Sequence, residues 1–278
     1  MNISYVFILF LIYSFIGWLW ETSFCSIKEG RFINRGFLHG PLCPVYGFGG
    51  MLVLYLLEPL SGTWIPLFLA AMVVTSLLEY FTSWILETLF HTKWWDYSNE
   101  KFNLNGRIFL GGALCFGAMG TLISHFVHPF LEKIVLSIPL HVAKIIAWTL
   151  FVVFMVDLIS TVKKLVHFTV HMARLKEFVD SLKDRFAGES WFTEHSHSIP
   201  EMFEAIKEKA REQKIRVSTN LLEKMDSFSA KQERLTGFVK KYPAMSSAKF
   251  KAGLENLHSR VRQELEERKK IRQEKKGR

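Results

Sequence analysis

Five apolar segments constrain this chain more than any other feature of its sequence. A helix needs about 20 mostly apolar residues to cross a bilayer, and each segment meets or approaches that length. The sequence therefore predicts an all-α protein, a polytopic membrane helix bundle of about five transmembrane helices followed by a helical tail. The segments cover residues 3–25, 42–58, 64–90, 107–128 and 142–163.

The distribution of charge divides the chain near residue 165. Residues 166–278 hold a net charge of +8, nearly all of the +9 of the whole chain, whereas residues 1–165 hold +1. This division predicts a transmembrane helix bundle over residues 1–165 and a basic amphipathic helical tail over residues 166–278. The tail has no nucleic-acid-binding motif, and its charged end has no aromatic residues between the basic ones, so no nucleic-acid partner is expected.

Three apolar stripes at helical spacing predict that the tail helices pack into a small bundle. Helix breaks are expected near residues 188–198 and 242–246, and Ser198 or Ile199 before Pro200 predicts a helix start. The charged end, residues 266–278, is expected to be solvated, with attraction to anionic lipid or to an acidic partner as the alternative. The stripes are Leu175, Phe178, Val179, Leu182 and Phe186; Leu221, Leu222, Met225 and Phe228; and Leu254, Leu257, Val261 and Leu265.

Basic residues in the connections predict the orientation of the bundle, because they are retained on the cytoplasmic side. They follow the first, third and fifth segments, whereas the connection at residues 59–63 contains none. The N-terminus is therefore expected outside, and the tail in the cytoplasm. The basic residues are Lys28, Arg31 and Arg35; Lys93, Lys101 and Arg107; and Lys163, Lys164 and Arg174.

Acidic residues inside the apolar segments are the first candidates for a functional site. Glu21 lies in the first segment, Glu79 and Glu87 in the third, and Asp157 in the fifth. An ionisable group at membrane depth costs on the order of 2.5–3.5 kcal/mol on insertion scales. With Arg107 as counter-charge, these residues predict a cytoplasm-facing polar cavity for substrate binding or coupling. The alternative is that they form ion pairs or neutral hydrogen bonds that only fix the packing of the helices.

The loop at residues 31–47 supplies further candidates. Its prolines and glycines interrupt any helix, so freed backbone groups together with Asn34, Arg35 and Tyr46 are expected to line an anion or polar-substrate site. His39 and Cys43, with Cys25 and His91, are a weak candidate for a metal site because their spacing is unpaired. No metal and no cofactor are predicted.

Two further expectations concern packing. Small residues on the fourth segment, Gly111, Cys115 and Ala118, predict a close helix–helix contact. Trp94 and Trp95 follow the third segment, where aromatic residues commonly anchor a helix at the membrane interface.

Four groups of motifs occur in order along residues 1–165. They are Gly17-Trp18-Leu19-Trp20-Glu21; Asn34-Arg35-Gly36-Phe37-Leu38 with Gly40-Pro41, Cys43-Pro44 and Tyr46-Gly47; Leu78-Glu79-Tyr80 with Glu87; and Trp95-Asp96-Tyr97 with Gly106-Arg107. Together they resemble a family of bacterial integral membrane proteins described as putative ABC-transporter type IV permeases. The resemblance implies a multi-pass protein of the bacterial plasma membrane with a role in transport, and it supplies no substrate or catalytic residue.

The motifs that are absent limit the chemistry of the chain. It contains no Walker A loop, Gly-x-Ser-x-Gly elbow, His-Glu-x-x-His sequence or dinucleotide fingerprint, so no enzyme activity is predicted. A separate ATPase subunit is expected if ATP drives transport, and an intramembrane hydrolase that uses carboxylates is the enzymatic alternative. Five helices are few for a pathway, so a homo-oligomer or a second membrane subunit is expected within the lipid bilayer. The rival hypothesis is a membrane-anchored regulatory or scaffolding protein that acts through its basic tail.

Overall fold

A computed structural model describes residues 1–212 and 215–276 of the chain. The predicted all-α fold is confirmed, because helices dominate and the strands that occur form one two-residue antiparallel pair. The elements are α1 (Ile3–Glu29), α2 (Pro44–Met51), α3 (Ile65–Phe90), β1 (Asn103–Leu104), β2 (Ile108–Phe109), α4 (Leu110–Leu122), α5 (His128–Leu136), α6 (Leu140–Phe186), α7 (Ser190–Glu194), α8 (Ile199–Arg211), α9 (Thr219–Lys241) and α10 (Lys251–Lys276).

The chain forms two compact units. Residues Met1–Leu89 and Trp95–Leu165 form the first, which we call the membrane unit. Residues Phe90–Trp94 and Val166–Arg278 form the second, which we call the tail unit.

Four helices within the described residues are long and apolar enough to cross a membrane: Ile3–Glu29, Ile65–Phe90, Leu110–Leu136 and Leu140–Phe186. The third of these joins α4 to α5 through a π-helical turn at Ile123–Val127. The second apolar segment instead forms a shorter helix, Pro44–Leu56, because Pro44 fixes its first turn and the preceding loop supplies no helical residues. It therefore lacks the length that a spanning helix needs.

Helix α6 continues well past the predicted end of the fifth segment at residue 163. Its 47 residues run from the membrane unit into the tail unit without a break. The reason is local: residues 140–186 contain neither Gly nor Pro, and the change from apolar to charged side chains does not interrupt backbone hydrogen bonds.

Helices α1 and α2 approach each other so closely that glycine is required on both. A Cβ atom at Gly17 would overlap the ring of Tyr46, and one at Gly47 would overlap the side chains of Ser14 and Phe10. Close approach through small residues is the usual way in which membrane helices gain packing contacts.

The close contact of α4 uses a different face from the one expected. A Cβ atom at Gly117 would lie 3.0 Å from the carbonyl oxygen of Phe68, and one at Gly120 would lie 3.0 Å from Ala71 Cβ. Cys115 and Ala118 of the predicted face are exposed. Helix α4 therefore packs on α3 through Gly117 and Gly120.

The tail unit has its own hydrophobic core. Side chains of α6, α8 and α9 meet in it, including Leu182, Phe203, Ile206 and Met225. The first two predicted stripes contribute to this core, and α8 adds an apolar face that the stripes did not include. Ser198 accepts a hydrogen bond from the amide of Glu201 at the start of α8, as expected of a helix cap.

The segment that follows α3 also belongs to the tail unit. The backbones of Lys93 and Ser246 exchange two hydrogen bonds, and the hydroxyl of Ser247 donates to the carbonyl oxygen of His91. Trp94 is buried against Tyr242, so its expected role as an interfacial anchor is wrong. The prediction for residues 266–278 concerns side chains that lie mostly outside the described ones.

Candidate functional site

Five side chains of the membrane unit meet beside α1, and we call them the carboxylate cluster: Glu21, Arg35, Tyr46, Glu79 and Tyr97. The hydroxyl of Tyr46 donates to Glu21 Oε1 at 2.6 Å, and Arg35 Nε lies 4.0 Å from Glu21 Oε2. The carboxyl group of Glu79 interacts with the phenol of Tyr97 and with the charge of Glu21. Three helices and two loops therefore bring together two carboxyl groups, one guanidinium and two phenols.

The cluster is sheltered from water to different depths. Glu79 is buried, with 9% of its surface exposed, whereas 29% of the Glu21 side chain is exposed. Ser76 and Ser83, which share the face of Glu79 on α3, are also buried. Neighbouring carboxyl groups repel when both are ionised, so Arg35, a proton or a bound cation is needed to neutralise one of them.

Tyr97 presents its phenol to the cluster from the loop between α3 and β1. Burial raises its pKa, and the charges of Glu79 and Glu21 raise it further, whereas the Arg35 guanidinium lowers it. The phenol is therefore protonated at neutral pH and serves as a hydrogen-bond donor to a carboxylate.

The loop that carries Asn34 and Arg35 is folded back along α1. Trp18 Nε1 donates to Asn34 Oδ1 at 2.7 Å, and the amide of Arg35 donates to Thr22 Oγ1 at 3.2 Å. Trp18 and Thr22 are four residues apart and so lie on one face of the helix. Asn34 therefore holds the loop in place, while Arg35 reaches Glu21.

Asp157 binds the tip of the same loop from α6. Its carboxylate accepts the backbone amides of His39 at 3.0 Å and Gly40 at 2.8 Å. It also accepts from Thr161 Oγ1 at 3.3 Å and lies 3.0 Å from His39 Nδ1. A Cβ atom at Gly40 would come within 3.0 Å of Asp157 Oδ2, which explains why glycine suits this position.

Arg107 forms a separate ion pair with Glu87. Its Nη2 atom lies 2.6 Å from Glu87 Oε2, and its Nη1 atom donates to Ser83 Oγ at 3.3 Å. The guanidinium also lies 5.5 Å from the centroid of the Tyr80 ring. The β1–β2 turn sets this position, because Trp95 Nε1 donates to the carbonyl oxygen of Arg107 at 3.0 Å.

The structure thus divides the predicted site residues into three groups. It joins Glu21, Arg35, Tyr46 and Glu79 in one group and pairs Glu87 with Arg107 in another. In the third, Asp157 of α6 binds the tip of the loop that Asn34 holds against α1. Tyr97 and Thr161 were not predicted as site residues, although Tyr97 belongs to the Trp95-Asp96-Tyr97 motif.

The arrangement suits binding and proton exchange better than covalent catalysis. Asp157 and Thr161 both contact the same nitrogen of His39, Nδ1, whereas a nucleophile–base–acid triad uses both ring nitrogens. No group of three or more His, Cys, Asp or Glu side chains suited to a metal occurs in the part of the chain that the structure describes.

Comparison with known proteins gives one match. Residues 8–162 match the sequence model of a family described as "Putative ABC-transporter type IV". The match covers more than half of the chain and contains every residue of the carboxylate cluster. The chain matches no curated protein and no solved structure.

Proposed function

The chain belongs to the family of ABC-transporter type IV membrane proteins, and we propose that it is the permease subunit of a transporter whose solute or coupling ion binds at the carboxylate cluster. The observation that carries this proposal is the burial of Glu79 beside Glu21 within the family region. Buried ionisable groups in a membrane bundle are expensive, and they commonly mark ion and substrate pathways.

The charge of the cluster favours a cationic partner. With both carboxyl groups ionised and Arg35 charged, its formal charge is −1, so a proton or the cationic group of a solute neutralises it. Glu21 lies at the more exposed edge of the cluster and Glu79 deeper, which supports entry of the solute past Glu21 toward Glu79.

Arg35 and Tyr46 give the cluster a way to respond to binding. Both contact Glu21, and both are linked to the interrupted segment before and within α2. Replacement of these contacts by a solute would remove two of the interactions that hold the loop and α2 against α1. In transporters, interrupted helices of this kind line the binding site.

We expect ATP hydrolysis, if it drives the transport, to take place on a separate subunit, since the chain has no nucleotide-binding loop. The test is purification from the native host in mild detergent, with crosslinking and mass spectrometry of the proteins that accompany the chain. The proposal predicts an associated ATPase that the native chain stimulates. This stimulation should be lost in Glu79→Gln and kept in Glu58→Gln, an exposed control that follows the C-terminal end of α2.

A second candidate function, scaffolding through the tail, is favoured by one observation. The tail unit has its own core and holds nearly all of the excess positive charge of the chain. Under this hypothesis Glu79→Gln retains the native assembly, and only neutralisation of the tail lysines dissociates it. An assembly without an ATPase that behaves in this way would contradict the permease proposal.

A further inference from the structure

We propose that the tail unit binds a small organic anion with an apolar body, in a cavity between α6, the start of α8 and residues 248–253. The cavity has a volume of about 190 Å³ and lies entirely within the tail unit. This proposal is independent of the carboxylate cluster, which belongs to the membrane unit.

Apolar side chains form the inner wall of the cavity. Met172, Leu175, Val179, Ile199 and Phe250 all line it, and each is almost fully buried in the tail unit. A cavity with such walls gains free energy when it excludes water in favour of an apolar group.

Its rim is positively charged. Lys176, Lys183, Lys249 and Lys251 line the cavity together with a single acidic residue, Asp180, which is paired with Lys176. The formal charge of the rim is therefore +3. All four lysines are exposed, so they can turn toward a bound anion at little cost.

Two of these lysines are the best candidates for anion contacts. Lys183 forms no ion pair within the described residues, and Lys249 has a cation–π contact, 5.7 Å from the centroid of the Phe250 ring, but no acidic partner there. Lys251 is already 4.0 Å from Glu255. A carboxylate or phosphate in the cavity would thus gain charge-assisted hydrogen bonds from Lys183 and Lys249 without breaking an existing pair.

The volume of the cavity limits the size of the ligand. A dry cavity of roughly 150 Å³ holds one benzene ring in a well-studied lysozyme variant, so about 190 Å³ corresponds to one ring or a short acyl chain. The cavity is too small for a peptide helix. We therefore infer an aromatic or short-chain acid as the ligand class.

The test uses the full chain in nanodiscs, with 4-fluorophenylacetate as the probe and ¹⁹F NMR saturation transfer as the readout. We expect saturable binding that is absent from empty nanodiscs and weaker for the uncharged amide of the same probe. The double variant Lys183→Gln/Lys249→Gln should weaken binding about three- to twenty-fold, since each exposed charge contact contributes up to about fivefold.

Two further variants separate a specific site from general attraction to a basic surface. Ala252→Phe places a ring at the exposed edge of the cavity and should abolish binding, whereas Lys231→Gln, at an exposed lysine of α9 that does not line the cavity, should leave it unchanged. Equal binding by the wild type and Ala252→Phe, equal loss in Lys231→Gln, or no saturable binding would each overturn the proposal. A circular dichroism spectrum equal to that of the wild type shows that each variant is folded.

Discussion

Replacement of Asp157 by Asn should release the tip of the loop at residues 31–43. In the native chain, one carboxylate oxygen of Asp157 accepts the amide of Gly40 at 2.8 Å, and the other accepts the amide of His39 at 3.0 Å. Asn has one oxygen and one NH₂ group. One of the two backbone amides must therefore face another donor, and the remaining hydrogen bond loses its charge.

The size of the effect follows from these contacts. A hydrogen bond to a charged group contributes about 1.5–3 kcal/mol, and a buried donor left without an acceptor costs about 1–3 kcal/mol. Because 18% of the Asp157 side chain is exposed and water can replace part of what is lost, we expect a cost of about 2–3 kcal/mol for opening the loop. This corresponds to a roughly 30- to 150-fold faster exchange of the Gly40 amide.

Hydrogen–deuterium exchange with mass spectrometry of the chain in nanodiscs measures this change. The peptide that contains His39 and Gly40 should lose protection in Asp157→Asn, while peptides of α3 should not change. Asp180→Asn is the matched control on the same helix, because Asp180 is about half exposed and its pair with Lys176 contributes less than about 1 kcal/mol. Unchanged exchange at Gly40 in Asp157→Asn would refute the reasoning.

Three other substitutions test the packing within each unit, the first two by thermal unfolding and the third by proteolysis. Gly17→Leu should prevent α1 and α2 from approaching, because even its Cβ overlaps the ring of Tyr46, and the expected result is misfolded protein that Gly17→Ala reproduces in milder form; a Gly17→Leu variant as stable as the wild type would contradict it. Arg107→Met should cost about 2–4 kcal/mol by leaving Glu87 unpaired, and the double variant with Glu87→Gln should recover part of that cost; strict additivity would show that the pair is not coupled. Ile206→Ala should destabilise the tail unit by about 2–4 kcal/mol, measured by limited proteolysis of residues beyond 166, because this side chain is fully buried.

The long helices were predictable because hydropathy over 20 residues determines whether a segment can cross a bilayer. The continuation of α6 to Phe186 was also visible in the sequence, since no Gly or Pro interrupts residues 140–186. The predicted boundary at 163 followed the change in polarity, which affects the surroundings of a helix and not its backbone.

The face of α4 that contacts α3 could not be predicted from the sequence. Gly111, Cys115 and Ala118 offer one small-residue face, and Gly117 and Gly120 offer another. Helical spacing is compatible with contact through either face. The position of α3 determines that the face with Gly117 and Gly120 makes the contact.

The side chains that pair with the carboxylates could not be predicted from the sequence either. The sequence identified acidic side chains that are expensive in a membrane, but it left open which of them Arg107 neutralises. The β1–β2 turn decides that question, since it directs the guanidinium to Glu87, while Tyr97 from the loop between α3 and β1 reaches Glu79. Contacts made by side chains of irregular loops leave no periodic pattern in the sequence from which they could be predicted.

Transport itself is tested most directly by comparing the solutes inside and outside cells of the native host. Untargeted mass spectrometry and elemental analysis would be applied to a deletion strain that carries the wild-type chain, Glu79→Gln, Glu58→Gln or no copy, at equal amounts of protein in the membrane. A permease with its site at the carboxylate cluster predicts a solute whose distribution changes in the deletion strain and is restored by the wild type and by Glu58→Gln, but not by Glu79→Gln. Full restoration by Glu79→Gln, or no redistributed solute at all, would contradict it.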